Sequence, residues 1–254
     1  MGYLLMKKFL IIIVILILSV LGTKMIITVM SERQASAKTV EAAPLKTKKV
    51  DLQAKQAPSL PDSIQLDVPL IMQMDQPLLY NGCEVTSLAM ILNYSGVKVS
   101  KNELAENIKT VPLTYSNGQK GNPNVGFVGD MVHGPGLGVY NGPILELTKD
   151  YVGERAVNLT GRPFLDILKE VGQGRPVWII TTSSFAPISV FQTWDTPQGK
   201  IKITFSEHSV AITGYDANYI YINDPYGGKN KKLNRESFIK AWEQMGKQAI
   251  VIRN

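Results

Sequence analysis

A chain of 254 residues with 44% apolar and 19% charged side chains suits one domain with a substantial core plus extensions. Its formal charge of +6 suggests a polyanionic partner until the charge is divided along the chain. Residues 1–37 and 38–55 each carry a net +3, whereas residues 56–254 hold eighteen basic and eighteen acidic side chains, so nucleic-acid binding by the folded part has no electrostatic support.

The first element is Met6-Lys7-Lys8 followed by an apolar run, Phe9 to Leu21, and a second apolar patch, Met25 to Met30. A short run behind positive charge suits a secretory h-region, with Ala35-Ser36-Ala37 as a small-residue cleavage site. The longer stretch from Leu4 to Met30 equally suits a membrane span if Lys24 reaches the interface. Residues 1–37 are therefore read as a signal peptide or an N-terminal membrane anchor. Both place the remainder outside the cytoplasm, secreted or anchored at the bacterial cell surface, because Lys7 and Lys8 stay inside. Residues 38–63 mix Ala, Lys, Gln, Pro and Ser with no apolar period and read as a flexible linker. A monomeric functional domain is expected over 64–254.

Order is expected from Ile64, where an alternating run to Ile71 reads as a strand. After the Asn81-Gly82 turn signal a helix is expected from Cys83 to Tyr94, ending at Gly96. Ser100 and Glu103 form a capping-box pattern for a second helix through Ile108. Residues 112–143 contain eight glycines and four prolines and read as an ordered functional loop. Helices are expected at 143–152 and 163–172, a buried strand at 176–182, and a loop or insertion at 183–199. Strands at 201–205, 208–215 and 218–223, a helix at 234–245 and a closing strand at 248–252 complete the chain. Helices early and strands late indicate an α+β fold.

The only cysteine, Cys83, opens a helix, where the partial positive charge of the terminus favours a thiolate. A lone thiol is more often a packed apolar group, so the reading depends on a base. Only His133 and His208 are available. His133 lies in the Gly-rich loop, whereas His208 begins "HSVAITGYD", where alternating Val210 and Ile212 fix it at the start of a strand; rigid placement favours His208. Asp224 ends the next strand, in "YIYINDPYGG", and a short connection brings it near His208 to orient the ring. Two distant histidines and one cysteine make metal catalysis an unpromising reading. The Gly-rich loop lacks a Gly-Lys-Ser/Thr ending, so no phosphate-bearing cofactor is expected.

The set "LDVPLIMQ", "NGCEVTSLAM", "EHSVAITGYD" and "YIYINDPYGG" resembles the successive motifs of the C-39-like cysteine peptidase family, over about residues 64–252. The resemblance implies a papain-like α+β fold, an N-terminal helical part packed on a C-terminal antiparallel sheet. It implies Cys83 as nucleophile, His208 as base and then acid, Asp224 as orienter, and a peptide or protein substrate. It also implies an upstream glutamine that donates to the oxyanion with the Cys83 N–H, either Gln73 or Gln76, with Gln73 favoured. Glu84, directly after the nucleophile, reads as a solvent-facing first-turn acid.

Overall fold

The computed structural model describes residues 60–254; the expected signal or anchor segment 1–37, and the linker up to residue 59, lie outside the described residues. Among the described residues no helix is long and apolar enough to cross a membrane.

The centre is a seven-stranded antiparallel sheet in the order β10 (Lys231–Asn234), β9 (Tyr219–Asn223), β8 (Glu207–Tyr215), β5 (Val177–Thr182), β11 (Ala249–Ile252), β4 (Ala156–Asn158). The seventh strand, β1 (Ile64–Gln65), pairs with the far end of β8. Every residue of β5 and β11 is buried, as their continuous apolar character requires of central strands. At Gly214 a Cβ would lie 2.4 Å from the Ile64 carbonyl oxygen, so only glycine lets β1 approach β8 there.

The helix α1 (Cys83–Tyr94) packs on β8 and β5. Its residues 83–92 are buried all round, because helices α2 (Lys101–Asn107) and α3 (Asn141–Val152) cover the side turned away from the sheet. Ser100 Oγ accepts from the Glu103 N–H at 3.0 Å, as the capping signal predicts. On the sheet, α4 (Phe164–Gly172) and α5 (Arg235–Gln244) meet edge-to-face through Phe164, Phe238 and Trp242. Asn234 caps α5 by accepting from the Ser237 N–H.

Trp178 of β5 ties the sheet to the start of α1. It is fully buried, and its indole N–H donates to the Glu84 carbonyl at 2.9 Å. Trp178→Ala is expected to lower unfolding free energy by about 3–5 kcal/mol, from the cavity and the orphaned carbonyl together. Urea denaturation checks this; a loss under 1 kcal/mol, about the size of one exposed hydrogen bond, would mean α1 is held by other contacts.

Several expectations are corrected. The strand foreseen over 64–71 is paired only at Ile64–Gln65; further on, the carbonyls of Val68 and Pro69 accept from the Asn223 side chain instead of a ladder partner. Residues 192–203, read partly as loop, form a hairpin of β6 (Gln192–Thr196) and β7 (Gly199–Ile203). Its strand signal is masked because only Trp194 and Thr196 of β6 are buried. Trp194 and Ile203 pack with Val111 of β2 (Thr110–Val111) and Val128 of β3 (Phe127–Val128), which anchors the Gly-rich loop. The sequence reading missed β4 and β10; the latter is a Lys-rich edge strand with little apolar pattern.

Candidate active site

The turn before α1 is held from outside. The Asn81 N–H donates to Met131 O at 2.9 Å and its side chain to Asp130 O at 3.1 Å. Cys83 follows as the first helical residue, so its N–H has no intrahelical acceptor. The residue is 7% exposed, and the backbone N–H of Ser209 is directed at its sulfur.

His208 and Asp224 meet across adjacent antiparallel strands. His208 Nε2 lies 2.9 Å from Asp224 Oδ1, with both side chains at most 5% exposed. The second carboxylate oxygen accepts from Lys231 Nζ at 3.1 Å, and the Tyr226 N–H donates to Oδ1 at 3.0 Å. Two aromatic rings enclose the imidazole: Tyr226 stacks at 5.0 Å between centroids, and Phe185 lies tilted at 5.9 Å. Phe185 has φ +54°, a backbone strain uncommon for a bulky residue, and Lys231 sits over its ring. Burial pushes the Asp224 carboxyl up, but the hydrogen bond and charge of His208, with the Tyr226 N–H and Lys231, outweigh it and hold it below its ordinary value.

That direction sets a pH signature. A carboxyl with a depressed folded pKa adds stability that is complete above its ordinary value of 3.8 and is lost as pH falls through the depressed one. Asp224→Asn should therefore flatten the acid limb of a stability-versus-pH curve. An unchanged acid limb would show that the pairing adds nothing to folding.

The two glutamines separate. Gln73 is fully buried, whereas Gln76 is exposed. The Gln73 amide donates to Leu79 O at 3.2 Å and Tyr80 O at 3.1 Å, and it also bears on the Tyr226 hydroxyl. Both of its N–H groups thus brace the turn into Cys83, while its own Oε1 has no partner. His133 is set apart: its side chain is 81% exposed, and its Nδ1 lies 3.3 Å from Asp130 on the same loop.

Around the sulfur the electrostatics run against expectation. Glu84, read as a solvent-facing acid, is fully buried; its Oε2 lies 3.4 Å from Cys83 Sγ, and its Oε1 accepts from the Val139 N–H at 2.7 Å. Glu207 stands opposite Thr182 in the sheet, on the side facing α1. Burial first, then the charges of Glu84 and Glu207, push the thiol well above its ordinary value; the Ser209 N–H opposes them only in part. Any help from the helix N-terminus is thus outweighed, by burial foremost and then by the two carboxylates. Among the described residues, Cys83, Glu84 and Glu207 form the one grouping of three His, Cys, Asp or Glu donors close enough to share a cation, all within 4.8 Å.

Three comparisons bear on identity. The family model described as "Peptidase_C39 like family" matches residues 65–250. The chain belongs to the Peptidase_C39 like family. Within it, the chain is similar to the uncharacterized protein YvpB of Bacillus subtilis (strain 168), 61% identical over 188 residues, 74% of this chain and 75% of the relative. It is also similar to the crystal structure of a candidate C39-like peptidase from Bacillus anthracis, 44% identical, with a TM-score of 0.74 over 76% of this chain and 98% of the other. The α+β architecture expected from the four motifs is the architecture of this C39-like neighbour.

In this C39-like chain the sequence reading missed Tyr226, Phe185, Lys231 and Glu207 around the site. Two carried a visible signal: Tyr226 follows Asp224-Pro225, and Glu207 directly precedes His208. Phe185 and Lys231 reach the imidazole and its partner only through the fold.

Proposed function

We propose that the chain is a cysteine peptidase acting outside the cytoplasm, cleaving peptide or isopeptide bonds through a thioester on Cys83. The observation that supports this most is the His208–Asp224 pair at 2.9 Å, buried between two rings on the strand whose Ser209 N–H faces the sulfur. The imidazole takes the thiol proton, and the thiolate attacks the scissile carbonyl. The developing oxyanion is met by the Cys83 N–H, with Gln73 as second donor once one of its two bonds to the 79–80 carbonyls is released. His208 then protonates the leaving amine and afterwards activates water, while Asp224 holds the ring in one tautomer. The location rests on the basic and apolar pattern of residues 6–30.

The raised thiol favours one second reading, a peptide- or wall-binding module in which the same cleft holds its ligand without chemistry. Incubation with a denatured-protein peptide library, read by mass spectrometry, tests the first reading: new termini that need Cys83 support it. Added amine nucleophiles captured at those termini would reassign the thioester to acyl transfer. Binding of library peptides with no new termini at any pH would establish the module.

A further inference from the structure

Two carboxyl groups beside the sulfur have no part in the steps above. Glu84 enters from α1 and Glu207 from β8, and one oxygen of each lies within 4.8 Å of the other and of Cys83 Sγ. Gly138 is wedged between them; a Cβ there would stand 2.5 Å from Glu84 Oε1 and 2.7 Å from Glu207 Oε2, and the residue has φ +149°. The segment 138–139 therefore closes the compartment and supplies a backbone donor to it, the Val139 N–H to Glu84, whose carboxyl also takes its own backbone N–H. Glu207 Oε1 is inaccessible and without a partner. The other titratable groups facing the pair are Tyr140, from the start of α3, and Tyr226, from the 224–228 turn, with the His208 ring against Tyr226. Neither phenol is a cation, and among the described residues no cationic group bears on either carboxyl.

We infer that Glu84 and Glu207 are positioning residues that hold one proton between them at neutral pH and, through that proton, set when Cys83 ionises. Like charges this close in the interior cannot both form at their ordinary pH. With the proton held, the pair faces the sulfur with one charge; with it lost, the pair faces it with two and the thiol is locked. Burial foremost carries Glu84 from 4.5 to about 7, and burial with the charge of Glu84 lifts Glu207 well above its ordinary value, so the pair still holds a proton at neutral pH. The pair thus opposes the thiolate more strongly as pH rises and its proton leaves. This rests on the reading of Cys83 as the reactive thiol.

Because the chain has one cysteine, its thiolate absorbance, taken against Cys83→Ser, reports that sulfur alone. Glu207→Gln and Glu84→Gln, each nearly the same shape as the residue replaced, should raise thiolate content and iodoacetamide labelling about tenfold above neutral pH, where the intact pair has lost its proton and the variant keeps a single carboxylate, the effect of one pKa unit. Unchanged titrations in both would overturn the proposal. So would the absence, in the folded parent protein at pH 7, of an infrared carbonyl band of a protonated carboxylic acid that is lost on raising the pH; this measurement needs no variant to fold. A group whose folded pKa is raised destabilises the fold as pH climbs from its ordinary value to the raised one, so Glu84→Gln should also remove a decline in thermal midpoint between pH 4.5 and about 7. If library cleavage survives in Cys83→Ser, the peptidase mechanism fails, while the titrations still decide whether the pair governs the thiol.

Discussion

Cys83→Ala is expected to keep the fold and to lose peptide hydrolysis by on the order of 10⁴-fold or more, since no other group can form the acyl-enzyme. The sulfur makes few packing demands: it is nearly buried, but its polar neighbours are Glu84 and the Ser209 N–H. Its removal takes a group away from two crowded carboxyls, so the stability change should stay within about 1 kcal/mol. Mass spectrometry of library cleavage and far-ultraviolet circular dichroism together separate the two effects. Normal turnover by a folded Cys83→Ala protein would eliminate the thiol mechanism.

His208→Ala should cost about 10²–10⁴-fold in kcat, the range of a positioned general base, while His133→Ala stays near the parent protein. The contrast is structural. His208 is 2% exposed, enclosed by Phe185 and Tyr226 and bonded to Asp224, so its ring has a fixed direction. His133 is a surface side chain whose nearest partner, Asp130, is itself 48% exposed. Asp224→Asn should lie on the same side as His208→Ala, because an amide facing Nε2 no longer stabilises the charged ring. A His133→Ala protein as inactive as His208→Ala would reverse the choice of base.

These two results and the thiol titrations are linked but separable. The first asks whether the sulfur reacts, the second which ring takes its proton, and the titrations what holds the sulfur back. A peptidase whose resting thiol is opposed by neighbouring carboxylates differs from one whose thiol is primed by its helix, and the difference shows in the pH profile more than in the maximal rate.

Much of the site was legible before folding. Asn81-Gly82 before Cys83, and the alternation Val210, Ile212 after His208, fixed a turn-to-helix and a strand start, because both are short-range patterns. The helix bounds Cys83–Tyr94 match the expectation, as does the Ser100 cap. The spacing of His208 and Asp224 became a hydrogen bond because a short connection between antiparallel strands leaves few registers. The hairpin at 192–203 was obscured because one face meets water and the other packs on a distant loop, which no local period records.

The order of residues by itself singled out the side chains proposed to carry the chemistry: one cysteine at a helix start, one strand-bound histidine, and one aspartate at the end of the following strand. Local sterics and hydrogen bonding settle those positions within a few residues of each. Only the tertiary structure decided the charge around the sulfur. Glu84 and Glu207 are 123 positions apart in number, and whether they face water or one another depends on α1 being buried against β8. Electrostatic energy in an interior depends on distance and solvent access, and neither is written in a linear pattern.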